Sequence, residues 1–371
     1  MTTRMPTRRR VISALAPATA VAVAGLTSPA IAQSGPRFRW RLPTSFPRTL
    51  DIPHRAALHL ADTVRAATDG DFIIDVFPAG ELVSAFEVAD AAAEGSVECC
   101  FTFSIYSWDK EPTFALGSAI PFGLNARMQN AWLYAGGGNE LLNGFYRRFN
   151  LVGIPGGNTG AQMGGWFRRE INTIADLNGL KMRISGMGGL VLSRLGVVPQ
   201  QIPGGEIFTA LERGVIDAAE YIGPYDDEQL GLDRVARYYY YPGWWEGGSV
   251  LHFFVNLDKW LELPEGYRSI FTAAASEANL LTQSRFDAGN PAALSRLLAQ
   301  GVELRPFSEE ILNAALAETG AVIRELRARS ADFGRIVDSI LEFRAQQYAW
   351  FQVAEHSYDD FMISTMRRGD L

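Results

Sequence analysis

The strongest constraint on the fold is an alternation of strand-like and helix-like stretches between Arg37 and Phe103. In "RFRWRL", Arg37 to Leu42, charged and apolar residues alternate without a break, the period of a half-buried strand. A loop, "PTSFPRTLD", leads to a helix predicted from about Ile52 to Thr68. Gly70 lies just beyond its end, where a residue without Cβ can close a helix in the left-handed conformation. "DFIIDVFP" reads as a fully buried strand, "SAFEVADAAAEG" as a helix and "VECCFTF" as a third strand. Strand, helix, strand, helix, strand in so short a span predicts the α/β class with a parallel sheet.

The pattern repeats farther along. "NLVGIPGG" and "LKMRI" read as strands, "GGLVLSRLG" and "EIFTALERG" as short helices, and "VIDAAEY" as another buried strand. "SVLHFFVN" is a further apolar strand, and near Trp245 the chain is expected to return to the first lobe. "GGGN" at Gly136 to Asn139 fits a helix-ending turn better than a phosphate loop. From Glu265 onward the sequence reads as nearly all helix, with amphipathic stretches from Ser308 to Ser330 and from Phe333 to Met366.

The first 32 residues stand apart. Arg4, Arg8, Arg9 and Arg10 precede an apolar run from Val11 to Leu26, no acidic residue occurs, and Ala30-Ile31-Ala32 is a small-x-small cleavage site. This is the pattern of an export signal. The run is short for a bilayer span and is broken by Pro17 and Gly25. Thr7-Arg8-Arg9-Arg10-Val11-Ile12 fits the twin-arginine pattern, an ordinary basic leader being the alternative. Without the four arginines the net charge falls from −7 to about −11. An acidic surface with no Lys/Arg run argues against nucleic acid or anionic membrane as partner. What remains is too long for one small core, so two lobes are expected. Cys99 and Cys100 are adjacent; a disulfide between them would need a strained ring, and they read as two small buried residues rather than a zinc site.

Enzymatic constellations are sparse. His54, His59, His252 and His356 have no partner at helix-face spacing, and neither a Gly-x-Ser-x-Gly elbow nor a phosphate loop with Lys-Ser/Thr occurs. Arg183 is more informative. In "GLKMRISG" it falls on the strand face opposite Leu180, Met182 and Ile184, and an arginine opening into a cleft can hold a carboxylate by two parallel hydrogen bonds. The spacing fits a surface arginine in an ion pair equally well. Glu220 ends the strand "VIDAAE", at the strand end where ligands of α/β lobes bind, or else caps a helix or hinge. Gln162 sits among small residues in "NTGAQMGGWF", and Glu246 follows the aromatic run "YYYYPGWW".

Several of these segments resemble one family. "TIADLNGLKMRISG" and "LGVVPQQIPGGEIFTALERGVIDAAEY" resemble the signature of the solute-binding subunits of tripartite ATP-independent periplasmic (TRAP) transporters. "FPAGELVSAFEVADAAAEGSVECC", "PGGNTGAQMGGWFRREINT", "GPYDDEQLG" and "YYYYPGWWEGG" are similar to the branch that binds 2-oxo acids such as pyruvate, and the likeness runs from Trp40 to about Phe361. The resemblance implies a two-lobed α/β periplasmic solute-binding fold with hinge strands and long C-terminal helices spanning both lobes. On this chain it places a cleaved signal at 1–32, lobe I at 33–155 with a return around 245–290, lobe II at 156–244, and a helical region packing across both at 291–371.

The resemblance also implies roles. Arg183 would clamp the substrate carboxylate, with Gln162, Tyr106, Tyr221 and Trp245 beside the ligand. Gln162, Glu220, Tyr221 and Glu246 would hold a cation, sodium or alternatively calcium, with Tyr221 contributing backbone or packing. Tyr221 stands where the branch pattern has Trp, and "FSIYSW" carries fewer tyrosines than that pattern. A hard cation suits carboxylate, amide and backbone oxygens, and a 2-oxo group can chelate it with the neighbouring carboxylate. Most rings of Tyr238 to Tyr241 are expected to pack on a hinge, leaving Trp244, Trp245 and Glu246 near the ligand. The expected function is therefore a periplasmic receptor, not an enzyme, that delivers a small carboxylate to TRAP membrane subunits. An exported enzyme acting on small carboxylic acids through Glu220 and Glu246, or a sugar receptor of an ATP-driven transporter, are the alternatives. Some members of the branch exchange a long helix in a homodimer, and Phe333 to Met366 is long enough to do so.

Overall fold

The computed structural model describes residues 37–369, so the export signal read in residues 1–32 lies outside the described residues. The chain begins with β1 (Phe38–Pro43), α1 (Asp51–Ala67), β2 (Phe72–Phe77), α2 (Val88–Ala93) and β3 (Cys99–Phe103), then α3 (Ala126–Ala135), α4 (Gly138–Tyr146) and β4 (Leu151–Asn158). Next come β5 (Trp166–Phe167), β6 (Lys181–Arg183), α5 (Gly186–Arg194), β7 (Val198–Gln200), α6 (Ile207–Glu212), β8 (Ala218–Ala219), α7 (Pro224–Leu230) and β9 (Tyr238–Tyr241). It closes with β10 (Val250–Asn256), α8 (Leu257–Glu262), α9 (Glu265–Ala299), β11 (Glu303–Pro306), α10 (Glu309–Arg329), α11 (Ala331–Phe351) and α12 (Ser357–Arg368).

The strands form three ladders. β1 and β2 pair in parallel from Phe38–Phe72 to Pro43–Phe77, joined by α1 as the crossover. The helix buries Ile52, Ala56, Leu60 and Val64, one stripe at helical spacing, and ends with Gly70 at φ 84°. β2 is half-buried rather than fully buried, because it has a strand neighbour on one side only and its Asp75 turns outward to Arg39. A bridge from Thr44 to Phe101 ties this pair to β3. In the second ladder β10 lies antiparallel between β3 and β4, and all seven of its residues are buried. The late apolar strand thus joins a sheet begun much earlier. Cys99 and Cys100 are free and buried within this sheet.

The third ladder has six strands in the order β11-β9-β5-β8-β6-β7. It mixes parallel pairs (β6 with β7 and β8, β9 with β11) and antiparallel pairs of β5 with β8 and β9. One expectation needs correction here. "VIDAAEY" contributes only Ala218–Ala219 to the ladder, because the chain turns away from Glu220 onward. The stretch after Glu265 is nearly all helical, as read, with one short strand, Glu303–Pro306, pairing with the tyrosine strand β9.

The C-terminal helices connect these layers. The 35-residue α9 spans about 50 Å at 1.5 Å per residue and packs on α1 and β4 toward one end and on α7 toward the other. α10 packs on α5, whereas α11 packs on α3 and α4. Among the described residues no helix is long and apolar enough to cross a membrane.

Candidate functional site

Three strand ends and two linking segments enclose one buried cavity. β3 ends in Phe103 and leads into a short turn carrying Ile105 and Tyr106. β6 ends in Arg183, and Glu220 follows the last residue of β8. Gln162 comes from the link between β4 and β5, and Glu246 from the link between β9 and β10. Side chains at the carboxyl ends of strands stand where an α/β sheet opens into a crevice.

Arg183 is 2% exposed, which excludes the surface reading. Its Nε donates to the Ile202 carbonyl at 3.0 Å and its Nη1 to the Glu220 carbonyl at 2.8 Å, while Nη1 also pairs closely with the Glu220 carboxylate. The guanidinium lies 5.4 Å from the centre of the Tyr221 ring. These contacts hold the fork rigid in a water-excluded place, where charge interactions are strongest.

The acids respond to the same burial. Desolvation pushes Glu220 up to about 8, with Glu246 and Asp227 adding repulsion against the pull of Arg183. Burial likewise pushes Glu246 up to about 7, opposed by Ser249, Arg183 and Gln162. Tyr106 is raised to about 12, chiefly by burial. Two carboxylates thus share a dry site with one arginine and share too little positive charge for both to ionise readily.

The remaining groups fit a hard cation. The Gln162 backbone N–H donates to the Glu246 carbonyl at 3.2 Å, which fixes the two links side by side. The Gln162 Oε1 is buried and has no hydrogen-bond partner. An unpaired amide oxygen beside two carboxylates is an oxygen-only donor set of the kind sodium and calcium take. Among the described residues no three His, Cys, Asp or Glu side chains converge as a transition-metal cage would require.

Of the residues named from sequence, Arg183, Gln162, Tyr106, Glu220, Tyr221 and Glu246 line this cavity together. Trp245 does not. It lies against Gly188 of α5, where an added Cβ would come within 2.8 Å of its own Cβ, and its ring meets Trp244 edge-on. Trp244 stacks on Phe122 at 5.2 Å. The two tryptophans therefore brace the wall from behind, because successive residues of the link point to different sides. Two of the four tyrosines pack inward: Tyr239 stacks on Trp166 at 4.1 Å and donates its hydroxyl to Asp227, and the Tyr240 hydroxyl accepts the Ile171 N–H. Sequence reasoning missed Phe103, Ile105 and Ser185. Phe103 and Ile105 read as ordinary strand core, and the one signal for Ser185 was its place two residues beyond Arg183.

A mixed α/β chain whose strand ends enclose a buried arginine, two carboxylates and an unpaired amide oxygen has the form of a solute receptor. The chain belongs to the bacterial extracellular solute-binding protein family 7, the DctP family, whose model it matches over residues 45–330. It is 47% identical over 362 residues, 96% of this chain and 99% of the relative, to the monocarboxylate 2-oxoacid-binding periplasmic protein of Nostoc sp.. A solved TRAP transporter solute binding protein from Bordetella bronchiseptica is 44% identical, with a TM-score of 0.88 over 90% of this chain and 100% of that one. That protein is a dimer of mixed occupancy, with copurified calcium and picolinate in one active site and the other apo. A TRAP periplasmic solute binding protein from Pseudoalteromonas atlantica, with bound sodium and pyruvate, is 36% identical, with a TM-score of 0.85 over 87% of this chain and 98% of that one. Proteins of this kind are solute receptors of TRAP transporters rather than enzymes, so the alternative of an exported acid-processing enzyme falls.

Proposed function

We propose that this chain binds a 2-oxo monocarboxylate of about the size of pyruvate, together with sodium or calcium, and presents it to TRAP membrane subunits from the periplasm. The observation that carries the reading is the buried quartet of Arg183, Glu220, Glu246 and the unpaired Gln162 Oε1. Arg183 takes the ligand carboxylate through the N–H groups of its guanidinium that Ile202 and Glu220 do not hold. Gln162, Glu220 and Glu246 hold the ion through side-chain oxygens, Tyr221 adds its backbone, and the Tyr106 hydroxyl reaches the ligand. The ion would supply the positive charge that two buried carboxylates and an anionic ligand lack.

Binding works through closure. The cavity wall combines Phe103, Ile105 and Tyr106, which follow from the three-stranded sheet, with Arg183 and Glu220 from the six-stranded one. A ligand touching both sets stabilises the closed form by contacts the open form lacks. Titration of the purified protein with pyruvate, followed by tryptophan fluorescence with and without sodium, tests the reading. Saturable, sodium-dependent change is expected. Response to another carboxylate alone would keep the receptor and discard the 2-oxo acid, and competition by neutral sugars would favour a sugar receptor.

Two finer points belong to the same reading. The pattern of Arg8-Arg9-Arg10 and the apolar run after it supports export to the periplasm by the twin-arginine route. The C-terminal helices support a homodimer. Trp350, Val353, Tyr358, Phe361 and Met366 are each more than half exposed along α11, α12 and the turn between them. So much contiguous apolar surface is unusual on a monomer. A second copy docking or exchanging this segment would cover it, and the Bordetella relative is a dimer. Light scattering at micromolar concentration is expected to give twice the chain mass; a single-chain mass would reject the dimer.

A further inference from the structure

We propose that Ser185 is a ligand-binding residue whose hydroxyl, with the N-terminus of α5 behind it, donates to the ligand carboxylate beside Arg183. The inference rests on the reading that a small carboxylate occupies this cavity. Ser185 is 7% exposed and lines the cavity together with Arg183. Its Oγ is buried without any hydrogen-bond partner. The backbone is still extended at Ser185 (φ −107°, ψ 160°), so a residue two beyond Arg183 emerges on the same side of the chain. Leaving a buried hydroxyl unsatisfied costs free energy, so a native protein that keeps one needs a reason for it.

The surroundings specify what the hydroxyl awaits. Ser185 stands at the N-cap of the nine-residue helix α5, yet its side chain makes no capping bond. In the buried first turn, Gly186-Met187-Gly188-Gly189, the N–H groups of Gly186, Met187 and Gly188 have no carbonyl partner within the helix. Gly186 has φ +61°, and a Cβ there would lie 2.3 Å from Ile105 Cγ1, so the backbone approaches the opposite wall as closely as it can. Helix N-termini favour negative charge. Carboxylates meet that preference, and Arg183 sits two residues away to share the same group. The cation ligands Gln162 and Glu246 come from other segments, which leaves Ser185 to the carboxylate rather than to the ion.

Ser185→Ala tests this by calorimetric titration with pyruvate and with 2-hydroxypropionate, at saturating sodium. The dissociation constants for both acids are expected to rise by roughly 10- to 100-fold, the worth of one hydrogen bond to a charged group. The unliganded melting temperature should stay at the wild-type value, because no capping bond is lost. Unchanged pyruvate affinity would overturn the proposal. So would a loss confined to pyruvate, which would put the hydroxyl on the keto oxygen. A lower unliganded melting temperature with binding intact would make Ser185 a helix cap and overturn it too. Wild-type protein that binds neither acid would overturn the 2-oxo acid reading, and Ser185's role at that ligand with it.

Discussion

Arg183→Ala is expected to weaken pyruvate binding by about 2–5 kcal/mol, roughly 30-fold to several thousand-fold, the range for truncating one partner of a buried charge pair. The size follows from burial and from a fork fixed by Ile202 and Glu220. Removing the guanidinium also leaves Glu220 and Glu246 facing an anionic ligand without their counter-charge. Glu220 then takes a proton, as burial already inclines it to do, so the fold should survive the substitution better than binding does. Arg183→Lys should fall between the two, since it restores charge without the planar pair of donors. Calorimetry on the three proteins measures this. Near-wild-type binding by Arg183→Ala would remove the clamp from this residue.

The second large effect is on pH and sodium together. With Glu246 near 7 and Glu220 near 8, ligand-free protein holds protons that a cation must displace. Sodium affinity should therefore fall as pH is lowered from 8.5 to 6, by about tenfold per unit for each proton displaced. The stability of the ligand-free protein moves the other way. Both carboxyls have folded values raised above the ordinary carboxylate range, so their protonated forms contribute stability at low pH. That contribution is full only below the ordinary carboxylate range and is lost progressively as pH rises from there through about 7 to 8. Melting temperature without ligand should drop across that window, while protein loaded with sodium and pyruvate should keep its stability by mass action. Glu246→Gln should flatten the pH response and blunt the sodium dependence. Thermal denaturation across pH, with and without both ligands, reads all of this; an unchanged sodium response in Glu246→Gln would place the ion elsewhere.

Much of this site was legible because its residues sit in contiguous motifs. Arg183 ends a strand with an alternating pattern, and the residues the family resemblance implied, Gln162, Glu220 and Glu246, line one cavity with it. What escaped depended on direction rather than on composition. Trp245 and Glu246 are adjacent, yet only the acid faces the cavity, since a link outside regular structure has no period to say which side chain points where. Ser185 before a helix reads as a cap, and only the missing capping bond marks it as something else. In the fold, β1, β3, β4 and β10 carried strong apolar patterns. β11, "ELRP", is half polar and owes its strand form to pairing with Tyr238–Tyr241, a tertiary effect that local sequence does not carry.

That pairing also sets the order in which the chain can be completed. The six-stranded sheet needs residues from Trp166 to Pro306, and the three-stranded sheet needs residues from Cys99 to Asn256. The two spans overlap, and each sheet receives a strand made after the chain has crossed into the other. A nascent chain released before Pro306 holds neither a finished six-stranded sheet nor the helices that brace it. Long-range strand pairing of this kind is slow and leaves apolar edges exposed meanwhile. The two sheets whose strand ends line the cavity are thus made together, and a truncated or spliced version of either would begin its life without the strand that finishes it.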